Sequence, residues 1–140
     1  MITIELNRVN DAFLMEATNE LGNSVRMDGS PGIGGSDLAM RPMQMLLAAL
    51  GGCSSIDVIS ILKKQRQDLK DLKITVTGER EQNVEPSLYT EIHAHFKFYG
   101  NLDADKVEKA VMLSMEKYCS VAKTLEKTAK VTHTFEIINS

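Results

Sequence analysis

Tryptophan is absent from this sequence, aromatic residues make up only 5% of it, and there are just two cysteines and three prolines. A core short of large rings must be built from aliphatic side chains, and eight methionines supply flexible filler for irregular apolar space. There is no basic surplus either. The formal net charge is -3, which argues against a nucleic-acid partner, since such binders carry a clustered basic face. The N-terminus reads Met1-Ile2-Thr3-Ile4-Glu5-Leu6; no basic segment leads into an apolar one, so no secretion signal is expected. The longest apolar stretch, Met43 to Leu50, includes Gln44 and is too short to span a bilayer. These absences predict a cytoplasmic protein with no membrane partner. In that compartment two cysteines do not serve as a permanent staple. They are either inert core residues or reactive thiols.

What is present reads as one domain over residues 1–140, long enough to bury a core of its own. Ile2 to Val9 alternates apolar and polar and predicts a half-buried strand. Asn10-Asp11 is a turn pair, Ala12 to Thr18 a second strand, Leu21-Gly22-Asn23 another turn, and Ser24 to Asp28 a third short strand. Gly29 to Arg41 has no period and reads as an ordered loop delivering the chain to a helix. Pro42 suits a first helical turn. From there to about Arg66 the pattern is apolar nearly all round, which predicts a helix buried in a core. Gly51 and Gly52 interrupt it at a cost of roughly 1 kcal/mol each against alanine; close approach of another backbone is the expected reason.

Leu72 to Glu81 and Leu88 to Tyr99 alternate again, joined by a turn at Asn83–Ser87. Ile92, Ala94, Phe96 and Phe98 share one face, and Glu91, His93, His95 and Lys97 the other, as in a hairpin with one wet side. Asp103 is the candidate N-cap of a second long helix. Ser120 is the candidate N-cap of a short third one, and Val131 to Ile138 closes the chain as a strand. The order βββ-α-ββ-α-α-β is that of an α+β protein with antiparallel sheets around a long central helix.

Two cysteines stand out. Asp57 lies four residues after Cys53, on the same helix face. A carboxylate in an otherwise apolar helix needs a partner, so Asp57 predicts a cation or donor nearby. Such a cation would also lower the pKa of the Cys53 thiol. Cys119 precedes a helix start, where a thiolate is favoured. Both remain open to a purely structural reading, because free cysteine is among the most buried residue types. Their spacing of about 66 positions carries no metal signature. His93 and His95 look like residues of an exposed sheet face. No metal and no cofactor are expected.

The segment from Pro42 through Cys53 to Val58, Pro-Met-Gln-Met-Leu-Leu-Ala-Ala-Leu-Gly-Gly-Cys-Ser-Ser-Ile-Asp-Val, resembles the central-helix signature of the OsmC/Ohr family (osmotically inducible protein C and organic hydroperoxide resistance proteins). Tyr118-Cys119-Ser120-Val121 is similar to that family's second cysteine segment. The resemblance implies an intertwined homodimer with two long helices buried at its centre and active sites at the interface. It implies a cysteine-based peroxidase that reduces organic hydroperoxides in oxidative stress defence. Cys53 would attack the peroxide and become a sulfenic acid, Cys119 would resolve it to a disulfide, and a dithiol reductant would reopen that bond. The family's peroxidases add an arginine on an N-terminal strand and a glutamate at the start of the central helix. Here the glutamate position is Met43, beside Gln44, and the arginine is Arg26 or Arg41; Asp57 is a candidate for the orienting role. The Met43 departure leaves two alternatives: a non-catalytic relative binding a hydrophobic small molecule at the dimer interface, or a thiol redox sensor.

Overall fold

The structure, a computed structural model, describes residues 1–139. Contacts within the chain cluster into two compact units, residues up to Leu46 and residues from Leu47 onward.

The first unit opens with three short strands, β1 (Glu5–Arg8), β2 (Met15–Thr18) and β3 (Ser24–Met27), paired antiparallel in that order. Turn residues set the register. The Asn10 side chain accepts the backbone N–H groups of Ala12 and Leu14, and Asn19 accepts those of Leu21 and Asn23. Leu14 and Ala17 are buried, whereas Ile4, Leu6 and Val25 remain exposed. The third strand ends one residue earlier than expected because Asp28 has another task. Its buried carboxylate accepts backbone N–H groups from Gly29 (2.7 Å), Leu38 (3.1 Å) and Ser36 (3.3 Å). The aperiodic loop is therefore folded around one anion. Gly35 is obligatory in it, since a Cβ there would strike the Gly29 carbonyl.

Helix α1 (Pro42–Lys64) begins in this unit and continues through the second. Pro42 is its first residue, and the Gln44 side chain reaches back to the Arg41 N–H (3.0 Å), half of a capping box. Burial along α1 follows a single stripe, Leu50, Ser54, Val58 and Leu62, so within one chain the helix is covered on one side only. Ile56 is 71% and Ile59 46% exposed. By length and composition α1 is long and apolar enough to cross a membrane, and 28% of its most apolar window is buried within the chain; the apolar stretch ending at Leu50 understates it, because Gly51–Ser55 do not interrupt the helix. The expected backbone approach at the glycine pair is not seen. A Cβ on Gly51 would meet the Val76 side chain at 3.2 Å, and one on Gly52 would meet nothing within 4 Å.

The second unit holds the sheet β4 (Asp71–Arg80), β5 (Tyr89–Tyr99) and β6 (Lys130–Ile138), in that order. β4 and β5 form the expected antiparallel hairpin, with Ile74 opposite Phe96 and Val76 opposite Ala94. β6 corrects the all-antiparallel expectation, since it runs parallel to β5 with Phe135 beside Phe96. The reason is the connection. Helix α2 (Ala104–Leu113), a π-turn at Ser114–Tyr118 and helix α3 (Ser120–Leu125) carry the chain back before β6 begins. Ile92, Ala94, Phe96 and Phe98 are buried, as their alternation predicts, and Phe98 meets Phe135 edge-on at 6.4 Å between ring centres. The opposite face is polar, and His93 and His95 hydrogen-bond there to Thr132, Thr134 and Glu136 of β6.

Candidate functional site

Three elements of the second unit converge on the two thiols. Cys53 and Asp57 project from α1 one turn apart, and Cys119 terminates the π-turn. The widened turn is closed by the Cys119 N–H donating to the Ser114 carbonyl at 2.7 Å. This one extra residue sets the direction in which Cys119 leaves the helix. The Sγ atoms of Cys53 and Cys119 and a carboxylate oxygen of Asp57 all lie within 4.8 Å of one another. Both thiols are free, Cys53 half-buried and Cys119 fully buried.

The surroundings of the two thiols differ in kind. Cys119 touches the hydroxyl of Ser54 (Oγ to Sγ 3.9 Å), and Ser54 donates to the Leu50 carbonyl at 2.6 Å. Cys119 rather than Ser120 caps α3, its sulfur accepting the Ala122 N–H at 3.4 Å. The expected thiolate-favouring helix start is thus present but loses to desolvation. Burial pushes the Cys119 thiol up, against the pull of the Ala122 N–H, and a hydrogen bond with Cys53 adds to the upward shift. Asp57 finds a donor, as expected for a carboxylate on an apolar helix: Ser114 Oγ donates to Oδ2 at 3.0 Å. No cation pairs with Asp57 among the described residues, so the expected charge partner of Cys53 is not found on that side.

The sequence candidates therefore divide. Cys53, Asp57 and Cys119 come together. Arg26 lies on β3 in the first unit, where its Nε donates to Glu16 directly across the ladder at 3.0 Å. Arg41 pairs with Asp37 at 3.0 Å before α1 begins. Ser54 and Ser114 were missed. Their signal was weak but real, because each is a hydroxyl on the apolar stripe of its own helix, where a polar group needs a partner.

A long helix against a mixed sheet, with a thiol pair held between α1 and the end of a π-turn, defines an α+β protein with a built two-cysteine site. The family model of OsmC-like proteins matches residues 34–134, and the chain belongs to that family. Protein YhfA of Escherichia coli (strain K12) is 46% identical over 127 residues, covering 90% of each chain. A crystal structure of a protein from Aquifex aeolicus VF5 superposes with a TM-score of 0.86 at 31% identity, covering 100% of this chain and 98% of that one. An organic hydroperoxide resistance protein OsmC from Legionella pneumophila shares the fold, with a TM-score of 0.72 at 14% identity over 97% of this chain and 96% of that one.

Proposed function

We propose that the protein is a thiol peroxidase that reduces organic hydroperoxides, with Cys53 attacking and Cys119 resolving. The observation that carries this reading is the approach of the two thiol sulfurs to within 4.8 Å of each other with unequal burial. Cys53, half-buried, is the one a peroxide can reach. Its thiolate attacks the terminal peroxide oxygen, the O–O bond breaks, and the alcohol leaves while Cys53 becomes a sulfenic acid. Cys119 then attacks the sulfenic sulfur. A disulfide forms, the hydroxyl leaves as water, and a dithiol reductant returns both cysteines to thiols. Burial keeps Cys119 out of a peroxide's reach, so the electrophile it meets is the sulfenic sulfur of Cys53 beside it, and its proton leaves with the hydroxyl as water. A cycle reset by dithiols fits the reducing cytoplasm.

We also propose that the working form is a homodimer. α1 leaves the stripe Ala49, Gly52, Ile56 and Ile59 uncovered, and Ile4, Leu6 and Val25 of the first unit are exposed as well. A second copy covering α1 accounts for apolar surface that a lone chain would leave in water.

The test is thiol loss when reduced protein meets cumene hydroperoxide, followed for wild type, Cys53→Ser and Cys119→Ser. Wild type should lose both thiols rapidly and gain a disulfide. Cys53→Ser should not react rapidly, and Cys119→Ser should stop at an oxidised Cys53. Wild type reacting no faster than Cys53→Ser would refute peroxidase function.

A further inference from the structure

The thiol cycle uses two of the three groups that meet between α1 and the π-turn, and Asp57 is left over. Cys53 and Asp57 sit at i and i+4 on one helix, and Cys119 is fixed by the end of another element, so all three are carried on rigid backbone. Among the described residues no other three groups of metal-ligating type converge in this way.

We propose that the reduced protein binds one thiophilic divalent cation, Zn2+ in particular, through Cys53 Sγ, Cys119 Sγ and one carboxylate oxygen of Asp57, leaving a fourth position open to solvent.

The distances support this. The three ligand atoms lie within 4.8 Å of one another. With Zn–S of about 2.3 Å and Zn–O of about 2.0–2.2 Å, ligand atoms around a tetrahedral ion stand roughly 3.6–3.8 Å apart. Closing the site is a matter of side-chain rotation, not of backbone movement. Two sulfurs and one oxygen select a borderline-soft ion over magnesium or calcium. Outer contacts are already made. Ser114 Oγ holds Asp57 Oδ2, which leaves Oδ1 for the ion, and the Ala122 N–H holds the Cys119 sulfur. Cys53 and Asp57 are half-buried, giving an ion a way in and a place for a water as fourth ligand.

Binding displaces two thiol protons to solvent, and two thiolates with one carboxylate face a dication. The lone pair that would attack a peroxide is then committed to the metal, so the loaded form is a resting form. The proposal shares side chains with the peroxidase reading but requires only reduced thiols, and it stands or falls by direct binding.

The experiment is calorimetric titration of fully reduced protein with zinc chloride. Alkylated wild type, Cys53→Ser and Asp57→Asn serve for comparison, with circular dichroism confirming that each is folded. Co2+ is the second probe, because its thiolate charge-transfer absorption reports sulfur ligation. One ion per chain is expected, with a cobalt–thiolate band. Alkylation should abolish binding, and each substitution should weaken it by about tenfold or more. Because both substituted positions are half-buried, the test does not depend on replacing the fully buried Cys119. Zinc binding no tighter than in alkylated protein overturns the site, and so does unchanged affinity in Asp57→Asn.

Discussion

Asp57 and Ser114 show how a single hydroxyl makes a charged residue tolerable on an apolar helix. A carboxylate beside two thiols is costly unless a donor meets it, and Ser114 Oγ at 3.0 Å is that donor. Removing it leaves Asp57 without its hydroxyl donor while the buried end of α2 loses only one oxygen. Ser114→Ala should therefore lower stability by about 1.5–3 kcal/mol, as for a hydrogen bond to a charged group. Denaturant unfolding checks this, and a double-mutant cycle with Asp57→Asn should show most of the loss as coupling between the two positions. Equal losses from Ser114→Ala in the wild-type and Asp57→Asn backgrounds would mean that the bond contributes nothing. The contrast between the cysteines also belongs to this scale. One residue's burial decides that Cys119 holds its proton more firmly than an ordinary thiol.

At the scale of elements, the loop between β3 and α1 behaves as a shell of N–H groups around Asp28. The Leu38 N–H, followed by those of Gly29 and Ser36, holds this carboxyl below its usual range against the opposing effect of burial. A carboxyl lowered in the folded state contributes stability above its ordinary pKa and loses it as pH falls through the folded value. Amide protection at Leu38 and Ser36 should accordingly persist at neutral pH and fall on acidification below the ordinary carboxylate range. Asp28→Asn should weaken that protection at neutral pH and remove its acid-dependent step, as hydrogen exchange across a pH series would show. Helix α1 offers a second test. In one chain nothing stands within 4 Å of a Cβ on Gly52, so Gly52→Ala in a lone subunit should gain about 1 kcal/mol from helix propensity. With a second copy packed on the stripe the sign reverses. We expect Gly52→Ala to destabilise the protein in thermal unfolding; a rise in melting temperature would argue against a partner at that position.

For the whole molecule the deciding feature is apolar surface left uncovered. Ile56 at 71% exposure lies in the middle of the stripe that the dimer proposal covers. A carboxylate there would be removed from water on association without a partner. Ile56→Glu should dissociate the dimer into monomers or poorly folded chains, while wild type sediments as a dimer at micromolar concentration. Wild type sedimenting as a stable monomer would refute the dimer outright. The same geometry bears on the thiol site, since Cys53 adjoins Gly52 on the open side of α1.

Periodicity, with turn and capping residues, located the strands and helices but not the π-turn. Alternation in Leu88–Tyr99 singled out Ile92, Ala94, Phe96 and Phe98, all of them buried, because a strand has only two faces. Asp103 capping α2 was legible for a similarly local reason, its side chain accepting the Asp105 N–H. The identity of the two cysteines as a site was legible only through family resemblance. What the chain order could not convey is anything set by residues distant in sequence. The parallel pairing of β6 depends on where two helices return the chain. The role of Asp28 depends on amides eight and ten residues away, and Cys119 as the cap of α3 depends on a π-turn whose extra residue has no signature in composition. The meeting of Cys53, Asp57 and Cys119 is of the same kind. Local pattern fixes which face of each element is apolar, but only packing of one element on another decides which atoms share the space between them.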